Sequence, residues 1–215
     1  MPKPIKIDFV SDISCPWCII GLRGLETALE RVGDLVDAEI RFQPFELNPD
    51  MPPGGQNLGE HIAQKYGSTP EQSSAAREGI RTRAAEVGFT IAMSEQTRIY
   101  NTFDAHRLLH WADVEGRQRQ LKLALFEAYF THGRDPGSRD VLVDAAATAG
   151  LDPEAAREVL QSGRYAAEVR AAERFWQSHG ITSVPAAIVN ERYLISGGQP
   201  AEAFEQAIRT IAAES

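Results

Sequence analysis

A Cys-Pro-Trp-Cys motif at Cys15–Cys18, set between a strand-like and a helix-like segment, constrains this chain more than any other feature. Its cysteines are the only two among 215 residues. The apolar, β-favouring segment 5–10 precedes them, and a helix-like segment from Gly21 to Arg31 follows. Side chains three positions apart at a helix start share one face, about 5–6 Å apart at Cβ, which allows a disulfide after slight adjustment. The spacing therefore predicts a reversible dithiol.

The predicted helix start makes Cys15 the candidate nucleophile. Unpaired N–H groups and the positive end of the helix dipole both stabilise a thiolate there. Cys18, one turn further in and less exposed, is then the resolving thiol that attacks a mixed disulfide. Pro16 suits the first helical position, and Trp17 is expected to lie exposed beside the sulfurs as an apolar surface for a substrate. Asp12 is expected to order the loop by accepting N–H bonds, although its charge would oppose the helix dipole if it lay close to the thiols.

The cysteine pair has two other interpretations. A structural zinc site takes four ligands and often two such pairs, so a closed site in a monomer is disfavoured; a zinc shared across a dimer needs a further assumption. Two buried, inert cysteines are the ordinary alternative, against which the strand-then-helix context argues.

Two histidines have the spacing of metal ligands on one helix face. His106 and His110 are four residues apart, but the glutamate of a His-Glu-x-x-His motif is absent and no third ligand can be named. We therefore predict no metal site and interpret both as core or helix-face residues. His106 or Asn101 remains a candidate to line the cleft over Cys15.

Composition excludes several classes of function. The net charge of −8 argues against nucleic-acid binding, which needs a clustered excess of Lys and Arg. No apolar run approaches the roughly 18 residues of a membrane span, and the first eight residues hold no stretch of signal-peptide length. We expect a cytoplasmic protein with no membrane partner, in which a lone disulfide is catalytic or redox-sensing rather than structural.

The order of elements predicts an α/β fold that is interrupted by helices. Residues 1–57 have a β-α-β pattern whose two strands should pair in parallel. Residues 58–180 have the three- and four-residue apolar spacing of consecutive helices. Strand signals return only in residues 181–215, where an antiparallel hairpin precedes a helix at 200–213.

This organisation resembles the thioredoxin fold, and the all-helical insertion narrows the resemblance to the DsbA-like group. Segments spread over nearly the whole chain are similar to the cytoplasmic FrnE-type oxidoreductases; they are Cys15–Cys18, Phe42–Pro49, Asn101–Leu108 and Ile195–Pro200. The resemblance implies a thiol-disulfide oxidoreductase or isomerase with Cys15, Cys18 and Pro185 as catalytic residues, Pro185 lying in a cis-proline loop that faces the cysteines. Candidate substrate contacts are Pro16, Trp17, Val184, Asn101, His106, Ser196 and Gly197.

A related branch offers an alternative function. The 2-hydroxychromene-2-carboxylate isomerases and kappa-class glutathione transferases resemble this chain but have serine where it has Cys15, and use that serine to stabilise a glutathione thiolate. Two cysteines favour dithiol exchange over a glutathione-dependent reaction on a small aromatic or polyketide-type substrate; a non-catalytic binding module is a third hypothesis. Residues 196–198 either hold a glutathione carboxylate at a helix N-terminus or form a tight turn.

These hypotheses carry expectations about ligands and partners. We expect no resident cofactor, with glutathione as an optional co-substrate. The expected partner is a disulfide-containing protein or a small thiol, and the resemblance adds the expectation of a homodimer.

Overall fold

A four-stranded mixed sheet forms the centre of the computed structural model, which describes residues 1–214. In chain order the elements are β1 (Lys3–Ser11), α1 (Pro16–Arg31), β2 (Val36–Pro44), β3 (Gln56–Asn57), α2 (Leu58–Tyr66), α3 (Pro70–Glu86), β4 (Arg98–Ile99), α4 (Phe103–Val114), α5 (Gln118–Phe126), a π-helical turn (Glu127–Thr131), α6 (Arg139–Thr148), α7 (Pro153–Ser162), α8 (Ala166–Ser178), β5 (Ala186–Val189), β6 (Tyr193–Ser196) and α9 (Ala201–Glu214).

The strands of the central sheet lie in the order β2-β1-β5-β6. β1 pairs in parallel with β2 and antiparallel with β5, and β5 pairs antiparallel with β6. The predicted parallel β-α-β unit and the predicted closing hairpin are therefore both confirmed. Both halves of the sheet meet at β1, which leads directly into the Cys-Pro-Trp-Cys motif.

The two faces of the sheet are covered by different helices. Ile7 and Phe9 of β1 belong to the main core, together with buried side chains of α1 and α9 such as Leu25 and Phe204. Val10 points to the opposite face and joins a smaller cluster that contains Trp176 of α8. This alternation follows from the two-residue period of a strand, and it fixes the end of β1 between two packed layers.

Two features of this region were not predicted from the sequence. β3, just before the predicted helical segment 58–180, and β4, within it, form a two-stranded antiparallel ladder, Gln56 opposite Ile99. Each strand has only two residues, so neither carries a detectable alternation. The π-helical turn extends α5 and buries Tyr129 and Phe130.

No helix within residues 1–214 is long and apolar enough to cross a bilayer.

Candidate active site

The two cysteines lie at the start of α1, one at the N-cap and one a turn inside. Cys15 has an extended backbone (φ −95°, ψ 112°), and its carbonyl accepts a hydrogen bond from the Cys18 N–H at 3.1 Å. Pro16 occupies the first turn, as predicted. Both thiols are free; Cys15 is 4% exposed and Cys18 is 0% exposed. The order of exposure is the predicted one, but access to Cys15 is narrow.

The electrostatic environment of Cys18 opposes its ionisation. Burial raises the pKa of the Cys18 thiol well above its ordinary value, and the hydrogen bond with Cys15 raises it further. The positive charge of Lys122, a buried residue of α5, acts in the opposite direction. Cys18 is thus held as a thiol in the reduced state.

A loop from the other half of the sheet lies against Cys15. The thiol of Cys15 donates to the Val184 carbonyl oxygen at 3.6 Å, a sulfur hydrogen bond. The following peptide bond, Val184–Pro185, is cis. Pro185 is buried and Val184 half-buried, so the loop packs closely against the motif.

Glycines allow this loop, the motif and the turn before α9 to meet at atomic contact. A Cβ on Gly21 would lie 3.0 Å from Gly198 Cα and 3.1 Å from Pro185 Cγ. A Cβ on Gly198 would lie 2.9 Å from the carbonyl oxygen of Trp17. Contacts this short exclude a side chain at either glycine without displacement of the backbone. Trp17 itself is 40% exposed beside the motif, in line with its predicted position.

The turn before α9 is engaged in hydrogen bonds within the protein. Gly197 has a positive φ of 82°, and its N–H donates to the Pro185 carbonyl at 2.8 Å. The Ser196 carbonyl accepts from the Gln199 side chain at 2.8 Å. The tight-turn interpretation therefore describes this segment, and the Gly197 amide is not free to receive a glutathione carboxylate.

Asp12 is the centre of a buried polar cluster directly before the motif. Its carboxylate accepts from the Ser14 amide at 3.3 Å and hydroxyl at 2.8 Å, and from the Leu47 amide at 2.8 Å. The Thr102 hydroxyl donates at 2.7 Å, and the His106 ring lies 3.4 Å away through Nε2. Asp12 thus orders the loop, as expected, and also connects the segment before α1 to the loop that follows β2 and to the start of α4.

The pKa of Asp12 is lowered to about 2 although the side chain is fully buried. Burial by itself raises the pKa, but the His106 contact and the hydrogen bonds from Leu47 and Thr102 outweigh it. Asp12 therefore carries a fixed negative charge at any pH near neutrality.

Two of the candidate substrate contacts have supporting positions instead. His106 is 2% exposed and faces Asp12, so its ring belongs to the packed interior beneath the motif. Asn101 accepts from the Phe103 amide at 2.9 Å and donates to the Pro49 carbonyl at 3.1 Å. Both residues thus hold the loops around the dithiol.

A second buried polar cluster, which the sequence did not indicate, is formed around Glu46, the residue before Leu47. Glu46 accepts from Arg170 and, at 3.4 Å, from Asn101. The same Arg170 nitrogen donates to Glu173 at 2.8 Å, and its guanidinium carbon lies 3.8 Å from the centroid of the Phe103 ring. Glu173 Oε1 is buried and has no hydrogen-bond partner among residues 1–214.

The single positive charge of Arg170 does not fully compensate the negative charges of Glu46 and Glu173. The pKa of Glu46 is raised to about 7, first by burial and then by the charge of Glu173, against the attraction of Arg170. Glu46 and Thr102 fall inside segments 42–49 and 101–108, on which the family resemblance rests, and that is the one signal that could have pointed to them. Lys122 lies outside the segments on which the resemblance rests, so no comparable signal pointed to it.

Comparison with known proteins agrees with this geometry. A family model of the DsbA-like thioredoxin domain matches residues 6–209. The crystal structure of a probable DsbA oxidoreductase from Streptomyces coelicolor superposes with a TM-score of 0.90 at 35% identity, over 98% of this chain and 91% of that one. The uncharacterized protein YwbO of Bacillus subtilis is 25% identical over 206 residues, 95% of this chain and 96% of its own.

A more distant structure shares the fold. The cytosolic disulfide reductase DsbM from Pseudomonas aeruginosa, solved with GSH, superposes with a TM-score of 0.65 at 17% identity, over 95% of this chain and 98% of its own. The expected thioredoxin-like fold with a helical insertion is thereby confirmed. Since the family model spans nearly the entire chain and the Streptomyces protein covers it at over one-third identity, the chain belongs to the DsbA-like thioredoxin domain family of thiol oxidoreductases.

Proposed function

We propose that this protein is a thiol-disulfide oxidoreductase in which Cys15 is the nucleophile and Cys18 the resolving thiol. The observation that carries the proposal is the position of the Cys15 sulfur, at a helix N-cap and 3.6 Å from the Val184 carbonyl oxygen. A helix start stabilises the thiolate that must form, and backbone beside the sulfur offers hydrogen-bonding groups to an extended substrate.

The reaction follows from the two positions. The Cys15 thiolate attacks one sulfur of a substrate disulfide; an S–S bond forms between enzyme and substrate, and the other substrate sulfur leaves as a thiolate. Cys18 then loses its proton and attacks Cys15, which forms the Cys15–Cys18 disulfide and releases the second substrate thiol. The substrate disulfide gains two electrons and the enzyme dithiol is oxidised by two; the reverse sequence oxidises a substrate dithiol.

Burial of Cys18 supports its proposed role in the second step. A fully buried thiol with a raised pKa does not meet a substrate directly, but it lies one helical turn from the sulfur of the mixed disulfide. Lys122 favours the Cys18 thiolate through its positive charge, which helps the step in which the Cys18 proton leaves.

The proposal predicts different failures for the two cysteine variants. Cys15→Ser should abolish reduction of a model disulfide substrate, because no nucleophile remains. Cys18→Ser should also stop turnover but should accumulate a mixed disulfide between Cys15 and substrate, visible by mass spectrometry without reductant. Undiminished activity of Cys15→Ser would contradict the proposal, and so would a covalent adduct on Cys18 in the wild type.

Substrate and location extend the same proposal. We infer a disulfide-containing protein or a small thiol as the substrate, in a reducing cytoplasmic environment, with glutathione as a co-substrate. Support comes from the exposed Trp17 beside the sulfurs and from DsbM, a cytosolic disulfide reductase solved with GSH. Glutathione binding that survives removal of both cysteines would instead favour the glutathione-dependent isomerase or transferase.

A further inference from the structure

Lys122 is a charged side chain in the interior, and its effect on Cys18 does not explain the cavity beside it. It is 1% exposed, and within residues 1–214 its ammonium makes neither a hydrogen bond nor an ion pair. Two aromatic rings lie near it: the ammonium nitrogen is 5.1 Å from the Phe126 centroid and 5.9 Å from that of Phe42. Such contacts attract a cation but do not replace the acceptors that an ammonium loses on leaving water.

A cavity of about 170 Å³ lies against this side chain, between β2, α4, α5 and α8. One water needs roughly 10–15 Å³ by this kind of measure, so the cavity has room for a small organic molecule. Lys122 and His106 line its buried part. Arg41 and Asp113 line its exposed part, where they attract one another.

The walls of the cavity are of mixed character. Phe42, Leu109 and Val169 contribute apolar surface. The polar groups are largely engaged already, since the Gln118 side chain binds the Phe42 amide at 2.9 Å and carbonyl at 3.0 Å. In the buried part, the ammonium of Lys122 is the cationic group for which the described residues provide neither a hydrogen bond nor an ion pair.

We propose that this cavity is a binding site for a small carboxylic acid with an apolar body, whose carboxylate pairs with Lys122. One buried cation with apolar walls matches one negative charge on a compact apolar frame. A dianion such as phosphate would find no second buried cation for its second charge, because the His106 ring already faces the Asp12 carboxylate. A neutral molecule could offer an acceptor oxygen but no opposite charge to the ammonium.

Occupancy of this site would affect the dithiol, a consequence that rests on the proposed function. The charges of Cys18, Asp12 and Cys15 all act on Lys122, and Lys122 in turn favours the Cys18 thiolate. A carboxylate paired with Lys122 offsets much of the stabilisation that its positive charge gives to the Cys18 thiolate. The acid is therefore expected to slow the step in which Cys18 resolves the mixed disulfide.

Calorimetric titration of the reduced protein with benzoate, and separately with benzamide, tests the binding site. We expect one saturable benzoate site and at least about tenfold weaker binding of benzamide, which lacks the charge. Lys122→Met retains the apolar stem of the side chain but not its ammonium, and it should weaken benzoate binding by a similar factor. Lys65→Met, which removes a lysine bound to the Leu47 carbonyl outside the cavity, should leave the affinity unchanged.

The pH dependence of binding provides a second measurement on the unaltered protein. Burial lowers the pKa of Lys122 to about 8, so benzoate affinity should fall as pH rises through that value, and saturating benzoate should raise the pKa seen by NMR of the lysine ε-carbon. Other titratable or charged groups on the packed elements are Arg41, His106, His110 and Asp113, with Asp12 and the motif thiols behind Lys122. We therefore assign the expected loss of a positive charge near pH 8 to Lys122.

Three results would overturn the inference: no saturable benzoate binding, equal affinities for benzoate and benzamide, or equal affinities in the wild type and Lys122→Met. If Lys122→Met does not fold, an unchanged Lys122 pKa on saturation with benzoate overturns it in the wild type. Because none of these measurements involves turnover, the binding site and the proposed oxidoreductase activity can fail independently.

Discussion

Two buried carboxylates flank Leu47, and their charge states differ sharply. Asp12 receives hydrogen bonds from Ser14, Leu47 and Thr102 and faces His106, and its pKa is lowered to about 2. Glu46 is also buried, but it shares Arg170 with a second carboxylate and its pKa is raised to about 7. The number and placement of donors therefore decide the charge of a buried acid, since burial acts in the same direction on both.

The contrast assigns different roles to the two clusters. Asp12 is a permanent anion that fixes the approach of β1 to the motif. Glu46 changes its protonation state close to neutral pH, because burial and then the negative charge of Glu173 raise its pKa. Three substitutions test this distinction, in order of expected effect.

Asp12→Asn should have the largest effect, a destabilisation on the order of 3 kcal/mol at pH 7 in urea unfolding, because the amide leaves buried donors without a charged acceptor. A lowered folded-state pKa contributes stability above the ordinary value of 3.8, which is lost as pH falls through about 2. The difference from the wild type should therefore shrink between pH 4 and 2. The exposed Asp37→Asn is the control; an equal loss there would contradict the role of the cluster.

Thr102→Val should cost about 1.5 kcal/mol, since it keeps the shape but removes one hydroxyl donor to a buried carboxylate. The pKa of Asp12 should rise, which would appear as an acid unfolding midpoint at higher pH than in the wild type. Thr210→Val, at an exposed hydroxyl of α9 that donates to the Gln206 carbonyl, should change stability by less than about 0.5 kcal/mol. An unaltered acid midpoint in Thr102→Val would show that this donor is not needed.

Glu173→Gln should have the smallest effect, a change on the order of 1 kcal/mol in the pH dependence of the unfolding free energy. Because the folded-state pKa of Glu46 is raised, the folded protein holds a proton between about 4.5 and 7, and stability falls as pH rises through that window. Removal of the Glu173 charge should reduce this fall, measured as unfolding free energy at pH 5 and pH 8. Glu168→Gln on the exposed face of α8 should leave the pH profile intact, and an equal change there would assign the effect to net charge alone.

The sequence predicted the dithiol and the sheet because both depend on local signals. Cys15 and Cys18 are adjacent on one helical turn, Pro16 marks the helix start, and the strands of both halves carry recognisable apolar patterns. The position of Val184 beside Cys15 came from the family resemblance, since no local pattern links residues 169 positions apart.

The supporting clusters depend on tertiary contacts that no short window contains. Lys122 follows Leu121 in an amphipathic helix and has the appearance of a surface lysine, yet the packing of β2 against α5 buries it. His106 and Asn101 were predicted beside the substrate because they lie in segment 101–108, on which the resemblance rests. In the structure, His106 faces Asp12 and Asn101 donates to Glu46, so both support the loops around the motif. Hydrogen bonds between distant segments thus account for the parts of the site that the sequence did not indicate.

The junction of Gly21, Pro185 and Gly198 has a consequence for biosynthesis. It joins segments from opposite ends of the chain, so both cysteines leave the ribosome long before the Val184 carbonyl exists. A nascent chain, or one terminated early, carries two thiols without the loop that covers them. The contacts of Cys15 with the Val184 carbonyl, and of the motif with Gly198, form only when the last strands and helix have been made.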